Sequence, residues 1–267
     1  MKRLSIFLVL ILCSLTRANI VISFYGTKPL HGTSLQAPVD PNLVGYWLAY
    51  SEDTTTAVDL SGNGNNGTLQ GDTTYSTGRF DDAWSFDGDG DYIDCGNNPS
   101  LQLSTELTIS AWVWPNNVEE RGYLLSKWSS GDFGYAIYWY GTTDCLRLYY
   151  GTGIGNSSKD SSAVFTDIQM WVHCALVKDS AGNVYFYRNG ILAGSGTGVT
   201  IVSGTENVLI GNRTGGASIS HYFNGFVDDF KIYNRALLEG EIADLYNKPF
   251  KDFPKKIVMY GGKVIMP

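Results

Sequence analysis

The chain has 267 residues, 43% hydrophobic, 13% aromatic and 17% charged. That much apolar and aromatic surface excludes intrinsic disorder and suffices for one sizeable core. Acidic residues outnumber basic ones, 26 against 19, for a net charge of -7, which excludes an electrostatic footprint for nucleic acid.

Lys2 and Arg3 precede an apolar run from Leu4 to Leu15 and then Thr16-Arg17-Ala18. This is the pattern of a secretory signal peptide over 1–18, with an uncleaved membrane anchor as the alternative. Cleavage after Ala18 places the chain in the secreted or cell-surface compartment, with no further membrane span expected. It also removes Cys13, leaving Cys95, Cys145 and Cys174, so at most one internal bridge can form. Their spacing lacks the Cys-x-x-Cys pairs of a structural zinc site, and Cys95 and Cys174 read as buried strand residues. Residues 19–42 read as an N-terminal linker that holds His31. Asn66, Asn156 and Asn212 head glycosylation sequons that matter only in a host that glycosylates.

From Leu43 the sequence changes to short alternating runs broken by Gly, Asn and Asp. Leu107 to Trp114, Tyr135 to Tyr140, Cys145 to Tyr150, Trp171 to Val177, Val184 to Tyr187 and Phe226 to Tyr233 are rich in Val, Ile, Tyr and Trp. Such runs with turn signals between them predict an antiparallel all-β sandwich or barrel. Asn189-Gly190 predicts a tight hairpin. Leu238, Ile242, Leu245 and Tyr246 fall at helical spacing and predict one short terminal helix. The domain is expected over 43–247, followed by a basic tail at 248–267. Five tail lysines face one acidic residue, Asp252, and Gly261-Gly262 marks a small hairpin.

In order along the chain, Leu43-Val-Gly-Tyr-Trp47, Asp59-Leu-Ser-Gly-Asn-Gly-Asn-Asn-Gly-Thr68, Trp84-Ser-Phe-Asp-Gly88 and Asp91-Tyr-Ile-Asp94 are followed by Thr108 to Trp114 and Leu124 to Trp128. Trp171 to Val177, Tyr187-Arg-Asn-Gly190, Ile210-Gly-Asn212 and Phe223 to Leu237 complete the series. This order resembles the laminin G-like, concanavalin A-like lectin domains. It departs from them where Leu238-Glu239 replaces the Ser that often begins the last helix, and in the segments added at both ends. The resemblance implies a jelly roll of two sheets with one short C-terminal helix. It also implies a glycan-binding or adhesion module, although polysaccharide-degrading enzymes share the superfamily and fold alone does not fix function.

Glycoside hydrolysis needs two carboxylates facing across the scissile bond. No Glu-x-Asp-x-x-Glu run is present, and the adjacent Asp228 and Asp229 are expected on opposite strand faces. No Gly-x-Ser-x-Gly elbow accompanies His31, His173 or His221, and His173 reads as a structural strand residue. Calcium takes carboxylate, amide and carbonyl oxygens, so Asp59, Asn63 and Asn65 are candidate ligands for a structural ion. The resemblance brings their loop toward the late acidic segment, represented by Asp228. A glycine-rich turn held by Asx hydrogen bonds is the alternative. Asp87-Gly-Asp-Gly-Asp91 matches half an EF-hand loop but has Asn98 where the bidentate Glu belongs, so it reads as accidental. Aromatic rings suit the C–H faces of sugars, which makes Trp128, Trp139, Arg147 and Tyr149, with His221 and Tyr222 at a rim, the candidate ligand-binding residues. The expectation is a secreted, non-catalytic, lectin-like module for a glycan or extracellular protein partner. A polysaccharide-degrading enzyme and a structural surface component are the alternatives.

Overall fold

The computed structural model describes residues 40–50, 53–80, 82–117, 121–128, 133–141, 143–162, 165–166, 168–213 and 222–247, with the backbone of 258–260 and 263–265. The segment expected to be a signal peptide, nearly all of the expected linker, His221 and tail residues 248–257, 261–262 and 266–267 lie outside the described residues.

Two antiparallel sheets face each other. The first runs β14 (Ile191–Gly196), β13 (Val184–Arg188), β12 (Val172–Lys178), β7 (Leu107–Pro115), β16 (Asn224–Tyr233), β5 (Asp82–Asp87) and β4 (Thr74–Thr77). An eighth strand, β1 (Leu43–Trp47), pairs with the second half of β16. The second sheet runs β11 (Asn156–Asp160), β10 (Cys145–Gly151), β9 (Gly134–Tyr140), β8 (Arg121–Trp128), β15 (Leu209–Ile210), β6 (Tyr92–Asp94), β3 (Gly67–Gln70) and β2 (Thr56–Ala57). This is an all-β jelly-roll sandwich with one short helix, α1 (Glu239–Asn247). Separately, β17 (Val258–Tyr260) and β18 (Lys263–Ile265) pair with each other.

Period-two alternation sends Ile109, Ala111 and Val113 of β7 inward against Ile137 and Trp139 of β9 and Leu146 and Leu148 of β10. The opposite face of the first sheet is buried as well. There Tyr46, Ala175, Val177, Tyr187 and Tyr233 pack under Ile242 and Leu245 of α1. Leu238, expected on that helical face, is 73% exposed and lies just before the helix, while Leu237 takes the buried place at 5%. Glu241 accepts from the Leu238 N–H at 2.9 Å and holds Arg235, which also reaches Asp40 at 2.6 Å. The helix is therefore anchored to both ends of the domain. Cys95, Cys145 and Cys174 are buried, and no disulfide joins any two of them.

The Asn189-Gly190 turn forms as expected, with φ of 51° and 77°. The Asn189 side chain accepts from the His173 N–H at 2.9 Å, and a Cβ on Gly190 would stand 3.1 Å from Tyr246 Cβ on α1. Gly190→Ala is expected to lower unfolding free energy by about 1–2 kcal/mol, read from urea denaturation. An unchanged midpoint would show that this turn does not constrain the fold.

Candidate ligand-binding face

Alternation divides the aromatic strands of the second sheet between two surfaces. Tyr135, Ile137 and Trp139 of β9 join the core, while Ala136, Tyr138 and Tyr140 point outward. Register places Tyr149 opposite Ala136 and Arg147 opposite Tyr138, so these side chains share the outward face. Arg147 lies 4.0 Å above the Tyr140 ring and donates to both carboxylate oxygens of Asp160, at 2.5 and 2.6 Å. That pairing, together with a hydrogen bond to Tyr138, holds the guanidinium above its ordinary range despite partial burial.

Arg213, which was not among the sequence candidates, completes the face. Its guanidinium carbon stands 5.4 Å from the Trp128 ring centroid and 5.7 Å from those of Tyr123 and Tyr149. It also donates to the Tyr123 hydroxyl at 3.1 Å. Trp128 and Tyr149 lie with ring centroids 4.6 Å apart, as do Tyr123 and Tyr138. Each guanidinium thus lies within cation–π distance of aromatic rings.

The expected residues fall into three groups. Arg147 and Tyr149 are half-buried on the outward face, and Tyr222 is half-buried near Tyr92, whose phenol is raised by burial, then by Asp94 and Tyr222. Trp128 is on the same face but only 3% exposed, a buried floor instead of an open platform. Trp139 is 1% exposed and packs edge-on against Phe165 in the core, because residue 139 has the opposite parity to 138 and 140. On the other sheet, Trp114 and Trp171 form a second half-buried aromatic group, with ring centroids 5.9 Å apart.

The loop from Asp59 closes on itself. Asp59 Oδ1 accepts from the Tyr46 and Ser61 N–H groups, and Oδ2 from Ser61 Oγ and the Asn65 N–H, each at 2.9–3.0 Å. Asn63 donates to the Leu43 carbonyl and Asn65 to the Val44 carbonyl, binding the loop to β1. The Asp59 carboxylate is thus engaged four times in hydrogen bonds of the Asx-turn kind. Asp228 bonds elsewhere, accepting from the Phe80 N–H at 2.9 Å.

A bulge between Asp228 and Lys231 interrupts the β16–β7 register, and Asp229 there has φ of 51°. The extra residue puts Asp228 and Asp229 on the same, helix-covered face, correcting the expectation of opposite faces. Asp229 pairs with Lys231 at 2.5 Å, with both side chains buried, and Lys231 sits 4.5 Å from the Tyr46 ring centroid. Beside them Ser110 Oγ meets His173 Nε2 at 2.8 Å, the structural role expected of that histidine. Burial, then the Asp229 charge, pushes the Asp228 carboxyl up to about 8. Burial and Lys231 push His173 down to about 3.

A family model described as concanavalin A-like lectin/glucanases superfamily matches residues 87–243. The chain is 26% identical over 159 residues to adhesion G-protein coupled receptor V1 of Danio rerio, a match over 56% of this chain and 2% of the receptor. The binding domain of Paraclostridial Mosquitocidal Protein 1 superposes with a TM-score of 0.65 at 20% identity, over 80% of this chain and 54% of that one. Domain 4 of AbnA, a GH43 extracellular arabinanase from Geobacillus stearothermophilus in complex with arabinotriose, gives 0.61 at 21% identity, over 77% and 98%. The chain thus spans only a small part of the receptor and about half of the toxin domain.

Between pH 7 and 8 the folded chain keeps a proton on Asp228 that the unfolded chain has released, so stability falls as pH rises through this window. Below about pH 6.5 the neutral His173 acts oppositely and stabilises less as pH falls. Asp228→Asn is expected to flatten the slope between pH 7 and 8, by up to about 1.4 kcal/mol per unit. Urea denaturation across that range measures it, and an unchanged slope would place the titration elsewhere.

Proposed function

Because the chain belongs to the concanavalin A-like lectin/glucanases superfamily, we propose that it is a secreted, non-catalytic, lectin-like module that binds glycans on the outward face of its second sheet. The observation that carries this reading is the pair of arginines held over aromatic rings: Arg147 over Tyr140, and Arg213 over Trp128 and Tyr149. Tyrosine faces take the apolar C–H side of a sugar, while guanidinium N–H groups and phenol hydroxyls meet its oxygens. Asp160 on this face is committed to Arg147, and Asp94 accepts from Asn207 and the Gly96 N–H, which supports recognition over hydrolysis. The likeness to an arabinanase domain holding arabinotriose supports the same ligand class, and the N-terminal signal-like segment supports export.

A glycan array probed with the purified chain, in calcium and again in EDTA, tests the proposal. Tyr149→Ala and Arg213→Ala are expected to weaken binding to the captured glycan roughly tenfold, about 1.4 kcal/mol. Trp171→Ala, on the other sheet, is expected to leave it unchanged. Loss confined to Trp171→Ala would move the site to the first sheet. A folded chain that binds no glycan in either buffer would overturn glycan recognition and favour a protein partner.

A further inference from the structure

Two connections cross between the sheets next to one another. Gln70 to Thr74 carries the chain from β3 to β4, and Asp87 to Tyr92 carries it from β5 to β6. They gather Asp72, Asp87 and Asp91, with one carboxylate oxygen of each lying within 4.8 Å of the other two. Asp72 and Asp87 are exposed, but Asp91 is 2% exposed. Asp91 Oδ2 accepts from the Asp87 N–H at 3.1 Å, whereas buried Oδ1 meets no donor at hydrogen-bonding geometry among the described residues. This oxygen faces the turn that carries Asp72, since a Cβ added to Gly71 would stand 2.6 Å from it and 2.5 Å from the Gly90 carbonyl oxygen. No Lys or Arg among the described residues pairs with the three carboxylates.

A buried, unpaired carboxylate oxygen beside two further negative charges needs a proton or a cation. All the side-chain donors are hard oxygens, a carbonyl lies alongside, and the loops are rich in glycine. That suits the larger, adaptable oxygen shell of calcium over the small octahedron of magnesium. We propose that Asp72, Asp87 and Asp91 bind a calcium ion that ties the two crossovers together. The half-motif Asp87-Gly-Asp-Gly-Asp91 thereby gains a meaning that the sequence did not reveal: its first and fifth positions are completed by Asp72, not by a residue further along the same loop. The Asp89 side chain is not in the group, and its N–H donates to Asp87 Oδ1 at 2.7 Å.

The test uses the full chain stripped of metal, then titrated with calcium chloride by calorimetry and followed by thermal unfolding. Binding with a dissociation constant of about 1 mM or tighter is expected, the range of extracellular calcium modules. At about 10 mM calcium the unfolding midpoint should rise by about 3 °C or more and return in EGTA. Asp72→Asn and Asp87→Asn are expected to weaken binding at least tenfold while unfolding in EGTA at or above the wild-type midpoint, because each removes a repelling charge. That second readout separates ligand loss from misfolding. No heat and no midpoint shift with calcium would overturn the proposal. So would a shift that survives in the Asp72→Asn, Asp87→Asn double variant, or an equal shift with magnesium.

Discussion

The β16 bulge is the constraint around which the first sheet is organised. β16 pairs with β7 on one side along nearly its whole length, but on the other side its partner changes. Asn224 to Val227 pair with β5, whereas Phe230 to Tyr233 pair with β1. The bulge falls at the changeover, with Asp229 in a left-handed conformation that Asp tolerates better than most residues. Phe230 can thus remain in the core while Asp228 and Asp229 both turn to the helix side. The fold accommodates that polarity locally. Lys231 neutralises Asp229, Asp228 takes the Phe80 N–H, and α1 closes over the neighbourhood with Tyr246 stacked on Trp112 at 24°.

This arrangement divides the labour between the sheets. The outer surface of the first sheet is largely committed to α1, and its ionisable groups serve packing. Asp228 and His173 are perturbed by burial and by one another's neighbours, yet their setting beneath a helix makes them poor candidates for chemistry on an external substrate. Among the described residues, no helix docks on the outward face of the second sheet. There the arginines lie on tyrosine and tryptophan rings at partial exposure. A perturbed pKa marks desolvation, and only geometry separates a site from a core.

Much of the fold was legible in the residues. Strand runs, the Asn189-Gly190 hairpin and the terminal helix follow from local alternation, positive-φ turn chemistry and helical spacing, each of which acts over a few residues. What failed needed nonlocal information. Leu238 fits the helical period, but it stands before the first turn, where the chain enters the helix. Trp139 stands out by its residue type, yet the parity of Arg147 and Tyr149, carried across the β9–β10 register, selects Tyr138 and Tyr140 instead. Arg213 lies in a loop with no strand period, so nothing in its sequence neighbourhood pointed to the rings it covers. Strict alternation was also the reason for separating Asp228 from Asp229, and a bulge suspends that rule without a sequence mark beyond the unusual Asp pair.

The same distinction bears on what holds the sheets together. The three described cysteines are buried and no disulfide joins any two of them, so they do not form among themselves the covalent staple common in exported domains. The sandwich instead relies on its shared core and on the short connections that pass between sheets. The Asp59 turn secures one region by enclosing a carboxylate in N–H and hydroxyl donors while Asn63 and Asn65 reach the carbonyls of β1. The crossovers at Asp72 and Asp87–Asp91 are different. Their glycines give the chain the freedom to turn, and their aspartates leave negative charge and an unpaired buried oxygen where the two segments meet. Two acidic loops in one domain therefore reach opposite electrostatic states. One is satisfied from within the chain, while the other is complete only with a proton or a cation from solution.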